Sequence, residues 1–294
     1  MSSPRTDLQP ERVAAPRAVE RIVAGTATSD GAGVKLTRVL TQPLQRRLDP
    51  FLMLDAFGTD NPDDYIGGFP DHPHRGFETV TYMLAGRMRH GDNQGNVGLL
   101  RPGSVQWMTA GRGIIHSEMP EQEEGLMQGF QLWVNLPAKD KMVKPRYQDI
   151  DPEKVPVVER ADGTKVKVLV GSFDGVKGPV TDVATDPTYL DITLPAGVSA
   201  SVPLDAEHNA FAYVFEGTAR IGGGAEAQTV ERGQLAVLNQ GDAVTVEGGD
   251  KGGRLILVAG RPLREPVAKY GPFVMNTPDE IRQAIADYQA GKFV

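Results

Sequence analysis

Short runs of alternating polar and apolar residues recur along the chain, and many of their apolar members are β-branched or aromatic. Alternation with a period of two predicts strands with one buried face, because successive side chains of a strand point to opposite sides of its sheet. Glycine, proline, asparagine and aspartate separate the runs, as in chains whose strands are connected by tight turns. We therefore predict an all-β protein made of antiparallel sandwiches or barrels. The clearest runs are Glu78–Leu84, Ser104–Met108, Phe130–Leu136, Val166–Phe173, Phe211–Gly217, Gln234–Leu238 and Arg254–Gly260.

One segment near the C-terminus has the pattern of a helix instead. Thr277 is a suitable N-cap, Pro278 suits the first turn, and two acidic residues follow it. Gly291 is a suitable stop. Between them, near-helical spacing relates the apolar residues Ile281, Ala284, Ile285, Tyr288 and Phe293. We predict a short C-terminal helix.

The two halves of the sequence resemble each other. Shifted by 131 residues, segment 79–86 lies over segment 210–217, and both are alternating runs that end in glycine. With a shift of 130, Gly103 and Gly111 fall on glycines of the second half. Two similar β-modules in tandem are the structural interpretation, and chance matching of glycine-flanked strands is the alternative.

The length of 294 residues suits two domains of ordinary size. We predict a flexible N-terminal lead over residues 1–20 and a first β-domain over residues 21–140. Residues 141–160 are polar, charged and interrupted by prolines, which predicts a linker. The second β-domain, with the C-terminal helix, then covers residues 161–294.

Composition narrows the classes of function. The absence of cysteine excludes disulfides and thiolate metal sites. A net charge of -7 makes direct binding of nucleic acid unfavourable, because a duplex is a dense row of negative charge. No apolar run approaches the roughly 18 residues that span a bilayer, and the N-terminus lacks the apolar core of a signal peptide. We expect a cytoplasmic protein without membrane contact.

Two short polar pairs are the candidate chemistry. They are His72-Pro-His74 and His116-Ser-Glu118. Residues i and i+2 of a strand point the same way, so each pair presents two ligands to one side. Two such strands facing one another across a barrel would bring four ligands to one point. Imidazole and carboxylate groups together suit a divalent first-row metal, with open positions for substrate or dioxygen.

An isolated H-x-H pair also occurs as a surface feature without a metal, so its context in the chain decides between the two interpretations. The second pair follows a glycine-rich turn at 110–113, which favours a metal site. In the repeat register, the second half has Pro203 and Asp205 over the first pair, and Val246 and Gly248 over the second. This predicts that the second domain carries no metal.

The remaining two histidines do not fit the ligand pattern. His208 falls outside the repeat register and is predicted to be a surface or structural residue. His90 lies in the turn-like segment Arg89-His-Gly-Asp-Asn and is predicted to be exposed to solvent.

At these residues the sequence resembles the pirin family of the cupin superfamily, over roughly residues 20–294. The resemblance is carried by five segments, namely Asp49–Phe57, Asp71–Tyr82, Gln106–Pro120, Gly129–Pro137 and Tyr270–Asn276.

The resemblance implies two tandem cupin (jelly-roll) β-barrels with one metal per chain, usually iron, in the N-terminal barrel only. The matching ligand positions are His72, His74, His116 and Glu118. It implies Fe(II), although such a donor set also accepts manganese, cobalt, nickel, copper or zinc. Glu78 matches the general cupin pattern but is not the usual ligand in pirins, so a supporting hydrogen bond is expected of it.

Several pirins are similar to quercetin 2,3-dioxygenases, so the resemblance implies a flavonol-like aromatic substrate and O2 as partners. Glu118 would be the catalytic residue that accepts the proton of a substrate hydroxyl group. Candidate apolar wall residues are Phe77, Trp107, Met108 and Phe130, with packing in the core as the competing interpretation.

Two alternatives stay open beside the enzyme. One is a metal- and redox-dependent regulatory protein that binds a protein partner without turnover. Here an exposed Arg75 would serve the partner or an anionic substrate, although an ordinary salt bridge explains this residue equally well. The other alternative is a storage-type cupin, and the intact ligand set argues against it because unpaired buried polar groups are costly.

Overall fold

The structure is a computed structural model that describes residues 15–293. Strands dominate it, as the alternating runs predict. The strands of the first half are β1 (Val19–Ala24), β2 (Thr26–Asp30), β3 (Val34–Leu40), β4 (Phe51–Thr59), β5 (Phe69–His74), β6 (Phe77–Ala85), β7 (Met88–Asp92), β8 (Val97–Leu100), β9 (Val105–Thr109), β10 (Ile114–Pro120), β11 (Met127–Asn135) and β12 (Arg146–Ile150).

The second half continues in the same way. Its strands are β13 (Val157–Glu159), β14 (Lys165–Val170), β15 (Ser172–Phe173), β16 (Val176–Lys177), β17 (Thr188–Leu194), β18 (Ser199–Pro203), β19 (Asn209–Ile221), β20 (Gln228–Glu231), β21 (Gln234–Leu238), β22 (Ala243–Gly260), β23 (Ala268–Tyr270) and β24 (Phe273–Met275). The helices are α1 (Gln42–Gln45) and α2 (Pro278–Gln289), and single 3₁₀ turns lie at Pro62–Asp64, Ala138–Asp140, Pro152–Lys154 and Gly224–Glu226.

The two halves form two cupin barrels with the same strand order, which confirms the predicted all-β fold class. In the first, a seven-stranded sheet runs β12-β9-β6-β11-β4-β3-β2, and a four-stranded sheet runs β5-β10-β7-β8. In the second, the large sheet runs β1-β21-β19-β22-β17-β14-β13. There the long strand β19 corresponds to β6 and β7 of the first barrel, and the long strand β22 corresponds to β10 and β11. Strand β18 pairs with β22, and β20 pairs with β19.

The seven-stranded sheet of the first barrel packs face to face against the nine-stranded sheet of the second, and their apolar side chains form one cluster between the barrels. The rings of Phe51 and Phe211 meet edge to face at 5.4 Å, and those of Phe130 and Tyr213 at 5.9 Å. Buried polar groups also cross the interface, since the Tyr82 hydroxyl donates to Asp191 Oδ2 at 2.6 Å. An apolar interface that runs between the two large sheets is expected to hold the barrels together as one body.

The N-terminal segment belongs to the second barrel rather than to the first. Strand β1 pairs with β21, and the Arg17 guanidinium is buried against the carbonyl oxygens of Asp205, His208 and Asn239. The predicted lead over residues 1–20 is thus ordered where the structure describes it, and residues 1–14 lie outside the described part. The predicted linker, residues 141–160, includes β12 in the first barrel and β13 in the second.

The C-terminal tail, residues 268–293, crosses back to the first barrel. Helix α2 begins at the predicted cap, where Thr277 and Glu280 form a capping box. Val274 N–H donates to the Arg75 carbonyl oxygen at 3.0 Å, and a Cβ on Gly76 would overlap the Val274 carbonyl. The sequence-based division, which grouped this tail with residues 161–294, therefore does not describe where the tail packs.

Two buried cations fix the tail in place. The Lys141 ammonium donates to the carbonyl oxygens of Gly76 and Val274 and to Asn135 Oδ1, and burial lowers the pKa of this amine to about 8. The Arg75 guanidinium lies 4.2 Å from the Phe293 ring centroid and pairs with Asp287 at 2.8 Å. The expectation of an exposed Arg75 is wrong, and its salt-bridge interpretation is confirmed. Among residues 15–293, neither helix has the length and apolar character needed to cross a membrane.

Asp287→Asn tests how strongly the tail depends on this ion pair. The Arg75 side chain is only 5% exposed, so loss of the carboxylate leaves a buried charge poorly compensated. We expect the free energy of unfolding to fall by about 2 kcal/mol, measured by denaturant titration. Asp279→Asn, in an exposed ion pair of the same helix, should change it by no more than about 0.5 kcal/mol. Equal losses in both variants would contradict the assignment.

Candidate metal centre

The pairing of β5 with β10 brings the histidines together. His116 lies directly opposite His72 in the antiparallel register, and His74 lies on the same face of β5 two residues on. An irregularity between His116 and Glu118 places Glu118 opposite Phe69. The two polar pairs therefore meet on neighbouring strands of one sheet, and the expectation that they face each other across the barrel is wrong.

Three imidazoles form a compact group. One ring nitrogen from each of His72, His74 and His116 lies within 4.8 Å of the others. The ring centroids are 4.3 Å apart for His72 and His116, 4.7 Å for His72 and His74, and 5.0 Å for His74 and His116. His72 Nδ1 contacts the Pro70 carbonyl oxygen at 2.8 Å, which leaves Nε2 as its ligand atom.

The chemistry of this group fits a divalent transition metal. Both ring nitrogens of His116 and Nδ1 of His74 are buried without a hydrogen-bond partner among the described residues. Burial, followed by the neighbouring imidazoles, lowers the pKa of His74 and His116 well below the ordinary histidine value. Both rings are therefore neutral near pH 7, which is the form that binds metals. A metal would satisfy nitrogens that otherwise lose their hydration without compensation.

Glu118 lies in the same cavity but outside the group of three histidines. Its carboxylate is buried and accepts one hydrogen bond from Thr81 Oγ1 and one from Gln131 Nε2, both at 3.0 Å. Each carboxylate oxygen has a second lone pair, so these bonds orient the group and leave it able to act as a ligand or a base.

The cavity beside the histidines has a volume of about 430 Å³ and is mostly apolar in its walls. The sequence pointed to Phe77, Trp107, Met108 and Phe130 as wall candidates, but all four are buried away from the cavity. Trp107 and Phe130 lie between the barrels, which supports the core-packing interpretation. The apolar wall consists instead of Leu36, Met53, Phe57, Phe69, Pro70, Met88, Trp133 and Pro272.

The cavity residues that sequence reasoning missed lie on β11, which was predicted, and on β4, which was noted only as a segment resembling pirins. Gln131 and Trp133 line the cavity from β11, while their neighbours Phe130 and Leu132 face the other barrel. Met53, Asp55 and Phe57 do the same from β4. Strand alternation predicts that each of these strands has two different faces. It does not predict which of the two faces lies beside the histidines.

Glu78 is buried behind the site and does not line the cavity. Its carboxylate accepts a hydrogen bond of 2.6 Å from Thr109 Oγ1, and its other oxygen has no partner among the described residues. Burial raises the pKa of Glu78 to about 7.

The other two histidines are both buried. His90 is 1% exposed on β7, stacks on Tyr147, and lies 3.1 Å from Asp149 Oδ2. The expectation of an exposed His90 is wrong, because the turn follows β7 instead of containing this residue. His208 is 5% exposed, which supports its structural interpretation.

The equivalent region of the second barrel has a different interior. Val246, at the position of His116, belongs to a cluster of apolar side chains that includes Val202, Val244 and Leu255. The same scaffold is thus packed with apolar side chains where the first barrel has its histidines and the adjoining cavity.

A two-barrel cupin with a three-histidine cluster in its first barrel is the class of protein that this fold and site define. The sequence matches the profile of the pirin family over residues 33–134 and that of the pirin C-terminal cupin domain over residues 189–294, and the chain belongs to the pirin family.

Relatives of known name agree with this assignment. The chain is 53% identical over 279 residues to a Pseudomonas aeruginosa protein named "putative quercetin 2,3-dioxygenase", covering 94% of this chain and 97% of that protein. It is 51% identical over 278 residues to a pirin-like protein of Caulobacter vibrioides, covering 94% and 99%. The crystal structure of quercetin 2,3-dioxygenase from Acinetobacter baumannii superposes with a TM-score of 0.88 at 31% identity, covering 95% and 99%.

Glu78→Gln tests the buried carboxyl group through the pH dependence of stability. A pKa raised from 4.5 to about 7 means that the folded state holds this proton more tightly than the unfolded state. The contribution of protonated Glu78 to the free energy of unfolding is complete below pH 4.5. It is lost as the pH rises through 7, and the total loss is roughly 3 kcal/mol.

The glutamine variant cannot ionise and can still accept from Thr109, so we expect it to be more stable than the wild type at pH 8 and similar at pH 5. Denaturant titrations at both values measure the difference. Glu159→Gln, at an exposed site on β13, provides the matched control. A difference that is the same at both pH values would refute a buried, protonated Glu78.

Proposed function

We propose that this protein is a metal-dependent dioxygenase that opens a flavonol-like aromatic substrate with O2. The observation that carries the proposal is the three-histidine group with unpartnered buried nitrogens at the edge of an apolar cavity of about 430 Å³. A cavity of this size and lining suits a planar aromatic molecule. The names of the P. aeruginosa relative and of the A. baumannii structure support the same reaction.

In this proposal His72, His74, His116 and Glu118 would hold one divalent metal per chain, most consistent with Fe(II) in a pirin. The metal would supply a Lewis-acid and redox centre for the reaction of the aromatic substrate with O2.

The side chains of the chain itself bind and orient the substrate. Glu118 accepts the proton of a substrate hydroxyl group, and its hydrogen bonds from Thr81 and Gln131 fix the carboxylate in the cavity. The apolar wall, which includes Phe57, Phe69 and Trp133, holds the rings and excludes water. The second barrel supports this site by packing against the outer face of the same sheet that presents Gln131 and Trp133.

His116→Ala tests the metal site. Removal of this imidazole takes away the ligand whose two nitrogens are both unpartnered, so we expect the metal content after dialysis to fall from about one equivalent per chain to below about a tenth, by elemental analysis. Turnover of quercetin should be lost with it. His208→Gln, in the second barrel, is the matched control and should keep both. Retention of a full equivalent by the alanine variant would exclude His116 as a ligand.

Glu118→Gln tests the carboxylate as the base, with the metal content measured beside turnover because Glu118 is also a proposed ligand. The amide can still accept from Thr81 but cannot take a proton, so we expect kcat to fall by about 10²- to 10⁴-fold while much of the metal remains. Glu121→Gln, just beyond β10, should behave as the wild type. Oxygen uptake and loss of flavonol absorbance under air measure turnover. A fully loaded wild-type protein without turnover would contradict the enzyme and favour the regulatory alternative.

A further inference from the structure

Lys269 occupies a special position at the mouth of the cavity. It belongs to β23 of the C-terminal tail and lines the cavity together with Gly271 and Pro272, whereas most of the lining comes from the first barrel. Its ammonium lies 4.8 Å from the centroid of the Trp133 ring. The tail therefore brings a cation from the far end of the chain to the edge of the candidate active site.

The other charged groups around the cavity are already paired. Arg38 donates two hydrogen bonds to Asp55, at 2.9 and 2.7 Å, and one to Asp30 at 2.8 Å. Glu118 is held by Thr81 and Gln131. Lys269 is exposed to solvent, and within residues 15–293 its ammonium makes no hydrogen bond or ion pair beyond its contact with the Trp133 ring. It is the charged group in the lining that would gain most from an anionic ligand.

Trp133 shows how such a ligand would be placed. The Phe77 ring covers one side of the indole, with centroids 4.4 Å apart, and His74 meets it edge to face at 5.3 Å. Lys269 Nζ lies 4.8 Å from the centroid of the same indole. An aromatic ligand that stacks on Trp133 beside this ammonium would bring an acidic oxygen within reach of a charge-assisted hydrogen bond to Lys269.

We propose that Lys269 is a specificity residue that selects aromatic substrates carrying an acidic oxygen, a phenolate or a carboxylate, at the end that lies beside Trp133. This inference rests on the proposed function, because it assigns a recognition group to the same cavity. Asp30 and Asp55 would repel such an oxygen, and Arg38, which is hydrogen-bonded to both, offsets one of their two negative charges. Lys269 offsets the second, so its removal would leave the cavity lining unfavourable to an anionic ligand.

The test compares two probes of matched shape, 2-naphthoate and 2-naphthalenemethanol, by isothermal titration calorimetry on the metal-loaded protein. Lys269→Met should weaken binding of the carboxylate about tenfold and change binding of the alcohol by less than about twofold. Lys269→Arg should restore most of the preference. Lys251→Met, which removes an exposed lysine of the second barrel, should leave both affinities unchanged.

Two results would overturn the proposal. If Lys269→Met weakens both probes equally, the side chain only shapes the cavity. If it weakens neither, the carboxylate is bound elsewhere, for example at the metal. Because binding is measured without turnover, the result is independent of the reaction: a charge preference that depends on Lys269 in a protein inactive towards flavonols would count against the dioxygenase and leave the recognition role in place.

Discussion

The antiparallel pairing of β5 with β10 is the constraint on which the site depends. It sets His116 opposite His72, and strand alternation then places His74 and Glu118 on the same side. A slip of one residue would turn these side chains to the other face of the sheet. The tail protects this register, because Arg75 and Gly76, directly after His74, are bound by Asp287, Phe273 and Val274. A segment almost two hundred residues away in sequence thus holds the ends of the ligand strands.

The two barrels show how one scaffold supports two interiors. Both have the same strand order, and their large sheets share a continuous apolar interface. The second barrel is filled with side chains such as Val202, Val246 and Leu255, which favours stability. The first barrel leaves a cavity and keeps imidazole nitrogens unpartnered, at a cost in stability. The first barrel is supported from outside its interior. The second barrel packs against its large sheet, and the C-terminal tail packs against the end of β5, while β1 joins the second barrel.

Local patterns in the sequence predicted the strands, the repeat and the candidate ligands. The i, i+2 spacing was sufficient to group His72 with His74. The capping pattern of Thr277 and Glu280 was sufficient to predict where α2 begins. Long-range pairing was not predictable in this way. Nothing local to β1 shows that it joins the second barrel, and nothing local to Lys269 shows that it reaches the first. The sequence also left open whether Trp107 lines the cavity or packs in the core, because only the packing of the barrels distinguishes the two faces of its strand.

We propose that the three histidines and Glu118 bind one metal at the edge of the cavity. A crystal structure of the protein loaded with Fe(II) under anaerobic conditions, with anomalous diffraction data collected at the iron edge, tests this directly. We expect one strong anomalous peak per chain, within about 2.0–2.3 Å of a ring nitrogen of His72, His74 and His116 and of a carboxylate oxygen of Glu118. A peak bound by other residues, or fully loaded protein with no peak in the first barrel, would contradict it.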